Sequence, residues 1–257
     1  MHFLQSVFYC QFKINTMKSN KFPRIAIYFI IALLFSIIFR LKPIHLPDFY
    51  LSEYVYGLLG GAGPFIGAIV VLFLFKDEIK NNVTYKGVFS WLQILVLFLV
   101  PSALLCFFGT SSGSHLNGLL LGLYISIYSV LEERGWRGYL QSEFKSKKPI
   151  LKYLIVSLFW YTWHLTFLGQ TSFLNELVIF GILFLSSIGI GIMADRTKSI
   201  FFAACFHLIG NTLAFSSELT TYLTKDTRNI TVAISIVVWL IAFFIAKRKK
   251  ILSYTDQ

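Results

Sequence analysis

Acidic residues are scarce in this chain, 12 Asp and Glu against 23 Lys and Arg over 257 residues, and charged side chains of both signs make up only 14%. A soluble domain carries about 25% charged residues and about 45–50% apolar ones, so an ordinary water-solvated surface is excluded. Cysteine is sparse as well. Cys10, Cys106 and Cys205 form no CxxC pair and two of them fall in apolar runs. Neither a disulfide framework nor a thiolate metal site is therefore expected, and the three read as small core residues. No HExxH occurs, which removes the usual helical zinc signature. A signal peptide with a small-residue cleavage site is missing too, as are internal repeats and low-complexity tracts. The alternation of apolar and polar residues that a membrane β-barrel requires is also lacking.

What is present is apolar bulk: 56% hydrophobic residues, 18% aromatic residues and a mean hydropathy of +0.69. Apolar runs bounded by charge or by Gly and Pro extend from Ile25 to Leu41, Tyr54 to Phe75, Gly87 to Phe108, Leu116 to Leu131, Leu151 to Leu168, Phe173 to Ala194, Ile200 to Phe215 and Ile230 to Ala246. Each is apolar on all sides, which predicts an all-α, polytopic transmembrane bundle of about eight helices. The length leaves no room for a separate soluble domain. The expected organisation is a cytoplasmic segment over 1–24, a transmembrane domain over 25–246 and a basic cytoplasmic tail over 247–257. Residues 1–16 read either as an extension ahead of a natural start at Met17 or as a disordered tail.

Eight spans put both termini on one side, and the basic residues sort accordingly. Nineteen of the 23 fall on the side of the termini, and Arg40, Lys42, Lys225 and Arg228 fall on the other. By the positive-inside rule the protein is expected in the cell membrane with both termini cytoplasmic. The net charge of +11 is then accounted for by topology and by anionic lipid headgroups of the bilayer. No basic face interleaved with aromatics supports a nucleic-acid partner. Nothing specifies an oligomeric state.

The stretch Glu132-Glu133-Arg134-Gly135-Trp136-Arg137 closes the fourth run, and ionisable side chains at membrane depth point to function. Glu133 and Arg137 are four apart with the acid first, the favourable order for a helical ion pair. Arg137 is therefore expected to hold Glu133 in place. Glu132, about 100° around the helix, is left as the freer carboxylate, facing a cavity. Gly135 and Gly138 allow close helix approach there. His164 lies amid the aromatics Phe159 to Trp163, where a lone histidine reads more readily as a hydrogen-bonded packing residue than as a ligand. His207 and Asn211, at i and i+4, share a face of the seventh run, so an imidazole and a carboxamide converge on one point.

Taken together, EExxxR, an aromatic residue four before a histidine, and HxxxN on successive spans resemble the CPBP family. That family comprises the CAAX prenyl proteases and the bacteriocin-processing or self-immunity proteins, also called Abi. The resemblance runs from Gly61-Ala62-Gly63-Pro64-Phe65 to Phe206-His207-Leu208-Ile209-Gly210-Asn211. One departure is Trp160, where the family's second motif usually has Phe. The resemblance implies an eight-helix intramembrane endopeptidase acting on a membrane-associated peptide or protein. Glu132 would activate water with His164 beside it, while His207 and Asn211 would polarise the scissile carbonyl and stabilise its oxyanion. The chemistry suits the residue types, because peptide hydrolysis needs a base, a donor set and a water held between them.

The resemblance also raises a metal. Glu132, His164 and His207 would make a His2Glu set of the kind that binds catalytic zinc, whereas Asn211 is a poor zinc ligand and a good oxyanion donor. Both options stay open, with glutamate and histidine acting directly on water preferred. Two other readings are a non-proteolytic immunity or peptide-binding protein and a proton-coupled transporter. The transporter reading lacks broken helices in the two halves. The CAAX branch cuts after a prenylated cysteine, but the Lys-, Ile- and Phe-rich composition suggests an AT-rich bacterium, and such bacteria generally lack that substrate. Peptide pheromone, bacteriocin or membrane-protein processing is then favoured.

Overall fold

The computed structural model describes residues 21–41, 51–76, 79, 83–169, 171–215 and 223–255. Cys10 and most of the expected N-terminal segment lie outside the described residues. The described chain is a helical membrane bundle of nine helices: α1 (Lys21–Arg40), α2 (Ser52–Gly61), α3 (Gly63–Leu74), α4 (Trp91–Phe108), α5 (His115–Gly135), α6 (Pro149–His164), α7 (Phe173–Thr197), α8 (Ile200–Gly210) and α9 (Lys225–Thr255). Helix starts follow capping chemistry. Ser90 and Gln93 form a capping box at α4, and Ser114, Ser172 and Ser199 each accept a backbone N–H at the start of α5, α7 and α8, satisfying donors that a helix leaves unpaired. Helix ends are equally local. Gly109 follows α4 with φ 72°, and Leu165 and Lys198 adopt left-handed conformations at the ends of α6 and α7. The turn at Leu165 makes His164 the last residue of its helix.

The eight expected runs are all helical, but they do not all qualify as spans. Among the described residues four helices, α1, α4, α7 and α9, are long and apolar enough to cross a bilayer, and a fifth is gained if the bent pair α2 and α3 counts as one. The remaining three fall short for physical reasons. The α5 helix carries Glu132, Glu133 and Arg134, α6 has 16 residues and α8 has 11, against about 20 needed to cross a 30 Å hydrocarbon core. These three carry the residues that the sequence singles out.

Helix geometry refines two expectations. The run from Tyr54 to Phe75 is a broken helix, bent by 46° at Ala62, so the first half has a broken helix, while among the described residues no corresponding one occurs in the second half. Gly61 packs on the Tyr128 ring and Gly63 on the Ala32 carbonyl so closely that an added Cβ would lie 2.2 Å and 2.1 Å from them, and Pro64 opens α3. Beyond the apolar run that ends at Leu131 the helix continues through the charged stretch, as the helical Glu133/Arg137 pairing implies: α5 to Gly135, a π-helical turn over Trp136–Leu140 and a last turn over Gln141–Glu143. Arg137, sorted with the basic residues on the side of the termini, is fully buried.

The α5 rod is central, packing against α3, α4 and α8, while α6 lies on α7 and α9 on α4. Small residues permit this. An added Cβ would meet Leu105 O at 2.0 Å from Gly118 and Pro64 Cβ at 2.4 Å from Gly135, which bears out the close approach expected at Gly135. At the α7/α8 junction Thr84 bridges Ser199, and Ile200 N donates to Thr84 O at 2.9 Å. Cys106 and Cys205 are unpaired, with Cys205 buried in the core.

Candidate functional site

The helix survives its acidic pair because both glutamates find a partner on the same rod. Trp136 Nε1 donates to Glu132 Oε2 at 3.1 Å and Arg137 donates to Glu133 Oε1 at 3.0 Å, both one turn on. The expected Glu133/Arg137 ion pair is therefore present, with both side chains wholly buried. Trp136 and Arg137 open a π turn, Trp136–Leu140, and a second π turn, Asn211–Phe215, opens on Asn211 directly after α8. Insertions of this kind displace side chains from the regular helical stripe and recur at functional sites.

Three helices converge on the acid pair. From α6, Trp160 Nε1 donates to the same Glu132 Oε2 at 2.9 Å. From α8, His207 Nδ1 lies 2.8 Å from Glu133 Oε1, and its Nε2 lies 3.9 Å from Glu132 Oε2. A carboxylate only accepts, so Nδ1 carries the proton in that hydrogen bond. Glu133 is thus more than a partner for Arg137, since it also orients His207 as a carboxylate orients a catalytic or ligating imidazole. Exposure is 1% at Glu132, 0% at Glu133 and 3% at His207. The buried cluster counts two carboxylates against one guanidinium, and a proton on His207 or on Glu132 brings it to neutrality.

His164 enters from the end of α6. Its Nδ1 donates to Trp160 O at 2.8 Å, because a carbonyl also only accepts, so the ring's lone pair is on Nε2. It packs edge-on against Trp163 at 5.2 Å. His164, His207 and Asn211 line one cavity of about 200 Å³, together with Trp160, Leu183 and Phe206. The structure thus brings three of the four expected residues onto one wall. Glu132 stands behind that wall, held by two indoles, and does not line the cavity. The expectation of a freer Glu132 facing the cavity is corrected accordingly: the indoles fill the space beside it. Asn211 Nδ2 donates to Ser129 Oγ at 3.3 Å, tying α8 to α5 one turn before the acids.

The zinc set is a separate matter. Among the described residues no group of three His, Cys, Asp or Glu side chains is placed to hold a metal ion. As placed, the set lacks its carboxylate, because Glu132 Oε2 is taken by two indole donors; Glu133 on Nδ1 leaves Nε2 as the nitrogen that His207 would offer a metal.

Several contributors could not be found from sequence. Trp136 and Trp160 read as aromatic packers, yet each aims its only donor at Glu132. Ser129 gave no signal beyond its place one turn before the acids. Tyr128 lies against the Glu132 carboxylate and also lines a second, polar cavity with Arg40 and Glu53. Arg40, counted only as a loop charge, donates to Trp163 O at 2.7 Å and stacks on the Trp163 ring at 3.7 Å.

Residues 112–213 match the family model described as type II CAAX prenyl endopeptidase Rce1-like. This agrees with the family suggested by the motifs. The Rce1-like segment holds Ser129, Glu132, Glu133, Arg137, Trp160, His164, His207 and Asn211 together. It is narrower than the resemblance drawn from sequence, since Gly61 to Phe65 and Arg40 lie outside it. At the level of the family the Rce1-like match is to CAAX-type endopeptidases, which are hydrolases, and the apolar helices make the chain a multi-pass membrane protein. A comparison with curated proteins finds no match.

Proposed function

We propose that the chain is an intramembrane endopeptidase of the cell membrane, with both termini cytoplasmic, that hydrolyses a peptide bond in a membrane-associated peptide or protein. The observation that carries this reading is His207, held by Glu133 through Nδ1 and turned with Nε2 toward Glu132, on a cavity wall shared with His164 and Asn211. Glu132 takes the proton of the attacking water, and His164 holds that water from the cavity side through its Nε2 lone pair. His207 in its doubly protonated form donates Nε2–H, and Asn211 donates from its carboxamide, to the oxyanion that develops on the scissile carbonyl.

One observation favours a second reading. Both indole donors converge on Glu132 Oε2, as they would in a protein that uses the polar cluster to brace a peptide-binding cavity without cleaving. Comparative peptidomics of cells carrying wild type and Glu132→Gln separates the two. Peptide products that disappear in the variant, at unchanged protein level, support hydrolysis; an unchanged product profile removes Glu132 as the base. A chelator arm tests zinc: loss of products reversed by added Zn2+ would require a ligand set different from the one seen here.

A further inference from the structure

Beside the acid pair, buried polar atoms follow one another without partners. Glu133 Oε2, Arg137 Nε and Nη2 and Tyr28 Oη are all shielded from solvent, and among the described residues none of these atoms has a hydrogen-bond partner. They are neighbours in space. Arg137 pairs with Glu133 at 3.0 Å and is electrostatically coupled to Tyr28. The Tyr28 and Tyr139 rings lie 4.8 Å apart, the Tyr139 hydroxyl is hydrogen-bonded to the Glu143 carboxylate, and Glu143 pairs with Arg24 at 3.1 Å. Arg24 and Tyr28 are one turn apart on α1 and so share a face. The file therefore runs from the centre of the site to the ion pair that joins the start of α1 to the end of the α5 rod. None of its members lines the cavity of His164, His207 and Asn211.

Buried polar groups in proteins are satisfied by protein or by internal water, and such waters sit where several polar atoms converge. Such atoms also occur at Arg134, Gln141, Arg228, Thr231 and Ser235, but those from Glu133 to Tyr28 adjoin one another and lead on to the Tyr139–Glu143 bond, which is the continuity a wet path needs. Hydroxyls that both donate and accept, as Tyr28 and Tyr139 do, can hand a proton along such a path. We propose that this file holds bound water and conducts protons between the Glu143/Arg24 end and Glu133, separately from the substrate cavity. Each proton taken up at one end is matched by one released at the other, so no other reactant is needed. The charged and titratable groups facing the path are Lys21, Arg24 and Tyr28 from α1 and Glu132, Glu133, Arg137, Tyr139 and Glu143 from the α5 rod, with His207 from α8 at its inner end. The inference rests on hydrogen-bonding capacity and stands whether or not the site cleaves peptides.

Indole N–H exchange tests it without any substrate. Trp136 Nε1–H, bonded to Glu132 with its ring 5.9 Å from Tyr28, reports the inner end. Trp239 Nε1–H, bonded to Leu97 O in the other core cluster, is the internal reference. In the full-length, 15N-Trp-labelled chain moved into D2O, Trp136 is expected to exchange several-fold faster than Trp239. Tyr28→Phe and Tyr139→Phe, which keep the rings and remove the hydroxyls, are each expected to slow Trp136 several-fold and leave Trp239 unchanged. Trp136 exchange as slow as Trp239 in the wild type, or unaltered in both variants, overturns the proposal. Where a variant also accelerates Trp239, its fold is loosened, and Glu143→Gln decides by the same criterion at the outer end of the file.

Discussion

Trp160→Phe is the most informative single change, because it puts at this position the residue that the family resemblance leads one to expect. The substitution removes one donor and keeps an aromatic ring. Trp160 Nε1 donates to Glu132 Oε2 at 2.9 Å, its ring lies 4.9 Å from the Arg137 guanidinium, and it meets His207 edge-on at 5.0 Å. A hydrogen bond to a charged group contributes about 1.5–3 kcal/mol. Glu132 Oε2 keeps its bond from Trp136, so the lower half of that range applies. Weakened cation–π attraction adds about 0.5 kcal/mol, and the space left by the smaller ring about 1 kcal/mol. The expected loss is about 3 kcal/mol, read from denaturant unfolding of the purified chain in detergent. Part of this loss must belong to the contact itself. A double-mutant cycle with Glu132→Gln isolates that part, since the amide accepts a weaker bond, and the expected coupling is about 1–2 kcal/mol. A coupling within about 0.5 kcal/mol of zero would refute the claim that the indole holds the carboxylate. Peptide cleavage should survive Trp160→Phe, because Trp136 still orients Glu132 and the ring still covers His207.

Glu133→Gln removes the charge that faces both Arg137 and His207, leaving a buried guanidinium uncompensated, and is expected to cost about 3–5 kcal/mol, measured by the same unfolding assay. Glu133→Asp, which keeps the charge and shortens the reach, should recover part of that stability. Gly135→Ala would place a Cβ 2.4 Å from Pro64 Cβ and 2.5 Å from Pro64 O. The rod cannot absorb that clash with backbone, so a marked fall in the yield of monodisperse protein is expected on size-exclusion chromatography, while Gly189→Ala, which meets nothing within 4 Å, should be neutral.

How much of this could be read in the sequence depended on which interactions were local. The bundle was readable because apolar runs are one-dimensional: composition and spacing show them directly. The Glu133/Arg137 pair was readable for the same reason, since both partners lie on one helix at i and i+4. The Trp160 bond to Glu132 was not, because it links residues 28 apart and depends on how α6 is rotated about its axis. An indole gives no hint in sequence of where its single N–H will point. The division of roles between the two glutamates was partly misread for a related reason. A 100° offset shows that they face different neighbours, but only packing decides that Glu133 receives His207 and that two rings enclose Glu132. The π turns, which take in Arg137 and Asn211 at the ends of the two motifs, shift the register beyond what a 3.6-residue period can predict.

The three helices that fail as independent spans are the three that build the site, and this follows from the chemistry required. A helix that buries two carboxylates and a guanidinium cannot also be apolar throughout, and α6, which the left-handed turn at Leu165 ends on His164, is short. Such helices are held by one another. Glu133 and His207 join α5 to α8, Glu132 and Trp160 join α5 to α6, and Asn211 and Ser129 join α8 to α5 again. Each of these bonds is stronger in an apolar surround than it would be in water, and each leaves an uncompensated polar group if one partner is removed. The contacts that position the reactive groups are therefore the same contacts that keep the short helices in the bundle. It follows that loss of cleavage in a variant of Glu133, Trp160 or Ser129 says little about mechanism until its stability has been measured. Glu132→Gln is the cleaner test of chemistry, since the amide keeps the volume and one acceptor oxygen for the indoles while losing the basicity that the reaction needs.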